Sequence, residues 1–311
     1  MTLRIAVIGA GGFGRALARA SSRHGHRVLL WSRQHREMPS PIRSSTDLAE
    51  ARDSELIFLA VPARHAVTVS EQLGEIVDGR HLMVHVSRGL VGSDLQTVTE
   101  VIRQKTVCRR IGVLAGPLVA EALGEGRPSG AILGTEFPEI TSMVRDALGG
   151  SALRVYHTTD VVGVELASAT VGFLTVVLGY AQEAGAEPGT LAVLATRGMV
   201  EIARIGRTLG AEESTFMGLA GLGDLIAAVA GDQRPEYRLG RAVAQGADLS
   251  MAVRELGAYV EGIEVARHMI EHARRLGLQT PISSTFMAVV EGGMSSEDAI
   301  QALMERRVGK E

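Results

Sequence analysis

Ile5-Ala-Val-Ile-Gly9-Ala-Gly11-Gly12-Phe13-Gly14 is the segment whose residue types and spacing carry the most chemistry. An apolar run leads into G-x-G-x-x-G, and a helix-like segment follows from about Arg15. In such a loop Gly9 allows a tight turn. Gly11 and Gly12 let the backbone approach a pyrophosphate, and Gly14 lets the helix pack closely on the strand. The free N–H groups at the helix start, with their partial positive charge, suit phosphate oxygens. A bare glycine pattern is weak, but this one lies at the chain start between a strand and a helix. The chemistry it points to is dinucleotide binding.

The second candidate set lies about twenty residues on, where a dinucleotide's adenosine ribose is read. A carboxylate there favours a free 2′-hydroxyl. This chain has Trp31-Ser32-Arg33-Gln34-His35-Arg36, with no carboxylate before Glu37. Ser32 can hydrogen-bond, and Arg33 or Arg36 can pair with a 2′-phosphate. The expectation is that NADP(H) is preferred, with NAD(H) still possible.

The elements that must position these groups follow from the apolar pattern. Leu3–Ile8, Arg27–Trp31, Leu56–Val61, Leu82–Val86, Ile111–Ala115 and Ala131–Gly134 are short and rich in Val, Ile and Leu. They alternate little, as buried parallel strands do. Amphipathic segments such as 15–24 and 66–76 lie between them. This rhythm predicts an α/β, doubly wound, mainly parallel sheet. It stops near Tyr156. Helices are expected over 161–185, 190–209, 238–244, 250–257, 262–276, 283–291 and 296–308. Asp160 and Ser250 are candidate N-caps, and Ser295-Ser-Glu-Asp298 reads as a cap followed by first-turn acids. The chain therefore divides into residues 1–155, a dinucleotide-binding domain, and residues 156–311, an all-α domain.

Composition narrows the classes. The 311 residues are 46% hydrophobic, enough for a full core, and the net charge is −3. The arginines are dispersed and aromatics make up only 4%, which argues against a nucleic-acid partner. The charge-free stretch from Leu166 to Gln182 contains Ser168, Thr170, Gly172, Thr175 and Gly179, so a buried core helix is expected rather than a membrane span. The apolar start runs straight into the glycine loop without a cleavage site, unlike a signal peptide. The single cysteine, Cys108, fits a reducing, cytoplasmic setting and a buried, inert thiol. No metal-ligand set stands out. Of the 32 basic residues only Lys105 and Lys310 are lysines. This matters because arginine anchors phosphate but is essentially never deprotonated.

Longer words extend across the chain: Ala60-Val-Pro62, Ser87-Arg-Gly-Leu90 and Gly116-Pro117 in the first half, then Gly163-Val-Glu-Leu166, Ala195-Thr-Arg-Gly198, Thr215-Phe-Met-Gly-Leu-Ala-Gly-Leu-Gly-Asp-Leu225, Val260-Glu-Gly262 and Thr280-Pro-Ile282. The chain strongly resembles the bacterial NAD(P)-dependent glycerol-3-phosphate dehydrogenases over essentially its whole length. The resemblance implies a Rossmann domain followed by a helical domain, with a small-molecule substrate in the cleft between them and a homodimer formed through the helices. It implies hydride transfer between nicotinamide C4 and a secondary alcohol or ketone, dihydroxyacetone phosphate being the family's ketone. Gly9, Gly11, Phe13, Gly14, Pro62, Ala120 and Glu261 fall at family positions that touch the cofactor. Asp224 matches an acid of the family's catalytic network.

The departures from the family words lie at the chemistry. The family's acid–base lysine falls at Val171, and the asparagine after it at Gly172. A second family lysine is Arg88. The family's Ser-Arg-Asn-Arg run, which holds substrate phosphate, reads Arg234-Pro235-Glu236-Tyr237. The threonine four after the aspartate is Ala228, and the family's Lys-Glu pair is Glu121-Ala122. A positioned acid contributes about 10²–10⁴-fold to such a reaction, and valine supplies none. Asp224 and Arg88 are the catalytic candidates. His157, and Tyr237 if its loop covers the cleft, are further ones; His85 reads as a core or edge histidine. Three readings stay open: a dehydrogenase of this family acting on another small ketone or related substrate, a conventional glycerol-3-phosphate dehydrogenase of reduced activity, and a cofactor-binding pseudoenzyme or partner subunit.

Overall fold

The continuous apolar runs of the first half form a sheet covered on both faces. In the computed structural model, which describes residues 2–150, 152–231, 234–256 and 261–305, they appear in the order β1 (Arg4–Ile8), α1 (Gly12–Arg23), β2 (Arg27–Trp31), β3 (Arg43–Ser45), β4 (Leu56–Leu59), α2 (Ala66–Gly74), β5 (Leu82–His85), α3 (Val98–Lys105), β6 (Ile111–Ala115), α4 (Ala120–Glu125), β7 (Ser129–Gly134), α5 (Pro138–Leu148) and β8 (Leu153–Thr158). The sheet order is β3-β2-β1-β4-β5-β6-β7-β8. Every neighbouring pair from β3 to β6 is parallel, β7 runs antiparallel to β6, and β8 is parallel to β7. Strand order reverses between β1 and β4. In open α/β sheets a crevice forms beyond the strand carboxyl ends at such a point.

Two apolar cores sandwich the sheet. Leu17, Leu30, Phe58, Val84 and Val144 lie on one face. Ile8, Trp31, Ile57, Leu73 and Ile102 lie on the other. Two strands escaped the apolar pattern. β3 is three polar or charged residues long. β8 is an edge strand that buries only Leu153 and Val155. Helix α1 begins at Gly12 rather than Arg15, so the last glycines of the loop form its first turn.

The remaining elements are helical: α6 (Val161–Glu183), α7 (Pro188–Thr208), α8 (Glu213–Phe216), α9 (Asp224–Ala230), α10 (Pro235–Ala244), α11 (Leu249–Glu255), α12 (Gly262–Arg275), α13 (Pro281–Val290) and α14 (Ser296–Met304), with a π-helical turn over Leu219–Gly223. The expected helix ends at Gly257 and Val308 lie outside the described residues, as do Lys310 and Val260 of the Val-Glu-Gly word. Asp160 caps α6, accepting from the Gly163 N–H at 2.8 Å. Its second oxygen accepts from Thr215 and from the Glu212 N–H, which ties α8 to the start of α6. The cap of α11 is Asp248, not Ser250; its carboxylate accepts from the Met251 N–H at 2.9 Å.

Helix α6 is the axle of the second half. It is long and apolar enough to cross a membrane, yet 89% of its most apolar window is buried inside the protein. Helix α10 lies against it at backbone distance. A Cβ on Gly240 would stand 2.1 Å from the Val176 carbonyl oxygen, so only glycine permits this crossing. Around Phe173 and its neighbours on α6 gather Met199, Ile202, Phe216 and Met269, joined by Val113 and Ala115 of β6, so this core continues onto the sheet. Cys108 is buried, and desolvation raises its thiol pKa, as expected for an inert side chain.

Candidate active site

The glycine loop has the shape its composition demands. Gly9 has φ +116°, and a Cβ there would lie 2.3 Å from the Ala60 carbonyl oxygen. Its N–H donates to the Trp31 carbonyl oxygen at 2.9 Å, closing the turn from β1 onto β2. A Cβ on Gly14 would lie 1.9 Å from the Gly9 carbonyl oxygen, whereas Gly11 and Gly12 face open space. A bare backbone facing free volume at a helix N-terminus fits the diphosphate of a dinucleotide.

That free volume belongs to a cavity of about 650 Å³ between the carboxyl ends of the strands and the helices. Of the residues expected to touch cofactor, Gly11, Gly12, Phe13, Gly14, Pro62, Ala120 and Glu261 line it, and Gly9 sits behind them as the turn. Ser32 and Arg33 lie beyond its lining at the end of β2. Ser32 donates its hydroxyl to the Gln34 carbonyl oxygen at 2.5 Å, and Arg33 is exposed. Both stand beside the strand that carries the glycine loop, where a ribose extending from the diphosphate would reach.

The helical side contributes Ser168, Ala169 and Gly172 of α6, Ala228 of α9, and Arg234, Pro235 and Glu236 at the start of α10. Arg88 enters from the loop after β5. Asp224, fully buried at the start of α9, lies beneath the lining and joins the two sides. Arg88 reaches its two oxygens at 3.1 and 3.3 Å. Arg234 reaches Oδ2 at 3.2 Å and donates a second bond to Oδ1. Asp224 and Arg88 are therefore together, as expected. The sequence did not announce Arg234 as the third member.

Other candidates fall elsewhere. Val171 is wholly buried in the helical core and does not line the cavity. Tyr237 lies within α10 rather than on a covering loop; it is buried and donates its hydroxyl to Gln182. His157, on the edge strand β8, contacts the Thr135 carbonyl oxygen at 3.0 Å, away from the cavity. His85 is buried as expected, but its partner was not foreseen. Its Nε2 lies 2.9 Å from Glu165 Oε1 of α6, and the same oxygen accepts from the Thr99 N–H. This polar link pins β5 to α6 just behind Arg88.

Glu261 is the most perturbed acid of the lining. Burial pushes its pKa from 4.5 up to about 7, against opposing hydrogen bonds from the Arg64 and Ala63 N–H groups and the Arg64 charge. The Arg64 N–H donates at 3.3 Å from the first turn after β4. This carboxyl therefore closes the cavity between the two halves.

A doubly wound sheet with a glycine-loop cradle at its switch point, faced by helices carrying an Arg–Asp–Arg cluster, defines a two-domain dinucleotide-dependent oxidoreductase. Residues 4–40 and 34–140 match the model of the NAD-dependent glycerol-3-phosphate dehydrogenase N-terminus, and residues 160–301 match that of its C-terminus. Glycerol-3-phosphate dehydrogenase [NAD(P)+] of Dechloromonas aromatica is 35% identical over 327 residues, covering 98% of both chains. That of Fusobacterium nucleatum is 32% identical, covering 98% of this chain and 97% of the relative. The solved glycerol-3-phosphate dehydrogenase of Coxiella burnetii has the same fold, with a TM-score of 0.90 at 24% identity over 98% of this chain and 99% of that one. The chain belongs to the NAD-dependent glycerol-3-phosphate dehydrogenase family and is an NAD(P)-dependent oxidoreductase.

Proposed function

We propose that this chain is an NADP(H)-preferring dehydrogenase that passes hydride to a small ketone or related substrate, and that dihydroxyacetone phosphate is a poor substrate for it. The observation that carries this reading is the state of the cations around the cavity. Among the described residues no lysine lines it, the family's acid–base position is the buried Val171, and both lining arginines are committed to Asp224. The first domain, 1–155, would hold the cofactor, and the second, 156–311, would carry substrate and a homodimer contact in the cytoplasm.

Gly9 and Gly14 shape the loop, and the N–H groups of Gly11 to Gly14 take the diphosphate. Phe13, Pro62, Ala120 and Glu261 enclose the nicotinamide half. Ser32 and Arg33 take the ribose 2′-phosphate. When bound, the cofactor supplies hydride. Arg88, held in place by Asp224, orients the substrate oxygen and stabilises the negative charge that develops on it. Burial lowers the basicity of Arg88 while Asp224 opposes the shift, and a guanidinium so paired keeps its proton, so the proton for the substrate oxygen comes from water. This is a weaker arrangement than a positioned lysine, and it suits a substrate that is already activated.

The test is calorimetric titration with NADPH and with NADH, followed by NADPH consumption with dihydroxyacetone phosphate and a panel of small ketones. Tighter NADPH binding and turnover of a non-phosphorylated ketone are expected. NADH preference, or brisk turnover of dihydroxyacetone phosphate, would contradict the proposal.

A further inference from the structure

We propose that Glu236 sets the charge of the substrate, so that the cavity takes a small carbonyl compound bearing a cationic amino group and turns away phosphate monoesters. The inference rests on the reductase reading given above and names its substrate class.

Glu236 stands on the first turn of α10, half-buried, and lines the cavity. Opposite it, α6 presents Gly172, which carries no side chain. A Cβ built on Gly172 would lie 3.8 Å from both Cγ and Oε1 of Glu236, which is ordinary van der Waals contact. The carboxylate therefore leans over the bare stretch of α6. Glu236 accepts no hydrogen bond from another described residue, so a ligand donor would find its oxygens available.

The charge balance favours a cation. The ionisable groups of the lining are Arg88, Arg234, Glu236 and Glu261. The two guanidinium groups share the single carboxylate of Asp224, leaving one net positive charge, and Glu236, which acts electrostatically on Arg88, cancels it. Glu261 adds negative charge when ionised. A phosphate dianion would meet no uncommitted cation among the described residues and one half-buried carboxylate, at the cost of like-charge repulsion and desolvation. An ammonium group would gain a charge-assisted hydrogen bond.

The reaction balances without a further reactant. The carbonyl carbon accepts hydride, its π pair moves to oxygen, and oxygen takes one proton from water. The ketone is reduced by two electrons and the dinucleotide is oxidised by the same two. The ammonium group is unchanged.

The test is calorimetric titration of the full chain, saturated with NADP+, with 3-amino-1,2-propanediol, glycerol and glycerol 3-phosphate. The amine is expected to bind about tenfold more tightly than glycerol, as one charge-assisted hydrogen bond would give, and the phosphate no better than glycerol. Glu236→Gln should lose the tenfold preference and Glu236→Asp should keep most of it, both with the parent melting temperature. Tighter binding of the phosphate than of the amine, or an amine preference that survives Glu236→Gln, overturns the proposal. If the charge preference holds but no ketone oxidises NADPH, the assignment of Glu236 stands and the reductase reading falls.

Discussion

Replacing Asp224 by asparagine removes the one negative charge that holds two guanidinium groups together. Asp224 is fully buried, and Arg88 and Arg234 each donate to both of its oxygens. Asparagine keeps one acceptor and turns a donor toward a donor. The two arginines then repel each other, with only Glu236 nearby to compensate. Removing one partner of a fully buried pair costs about 3–5 kcal/mol. Here the arginine side chains are 31% and 15% exposed, so water screens part of the loss and about 2–4 kcal/mol is expected. At about 2–4 °C per kcal/mol for a chain somewhat smaller than this one, the melting temperature should fall by roughly 5–10 °C. Scanning fluorimetry reads this directly, and calorimetry should find NADPH affinity within about threefold of the parent, because the glycine loop is on the other side of the cavity. A melting temperature within 1 °C of the parent would refute the view that Asp224 is the anchor of the cluster.

Three further outcomes are expected. Gly14→Ala places a methyl group 1.9 Å from the Gly9 carbonyl oxygen, and the forced shift of the loop should weaken NADPH binding at least tenfold by calorimetry, a loss of about 1.4 kcal/mol. Glu261 has a folded pKa of about 7 against 4.5 unfolded, so between those values the folded state binds more protons and cofactor-free stability falls as pH rises; Glu261→Gln should flatten that slope, which amounts to about 1–3 kcal/mol, and melting curves from pH 5 to 8 that run parallel to the parent's would exclude the assignment. Arg33→Ala should weaken NADPH binding about tenfold and leave NADH binding unchanged.

Local signals made part of this molecule legible. A glycine loop between a strand and a helix is encoded within ten residues, and the βαβ rhythm within runs of five. The Asp160 cap is likewise a three-residue signal. Partnerships across the chain were not legible. Arg88 and Asp224 are 136 residues apart in sequence, and Glu165 meets Thr99 across 66. Nothing short-range marks Glu165 as the partner of His85. Tyr237 was a candidate only if its loop covered the cleft, but the residue lies within α10, which Pro235 begins, and the side chain is buried. β3 and β8 escaped notice because edge strands need no continuous apolar run. Glu236 stood out only as a departure from the family's words, and its aim into the cavity required the neighbouring bare Gly172.

The most direct test of the account is the kcat/KM for dihydroxyacetone phosphate with NADPH, measured beside the Dechloromonas aromatica relative under one set of conditions. With no lysine at residue 171 and no uncommitted cation among the described residues of the cavity, this chain should fall below that relative by about 10²-fold or more, the contribution of a positioned acid. Values within a factor of about five would contradict the central claim and identify this cavity as an ordinary site for the family's substrate.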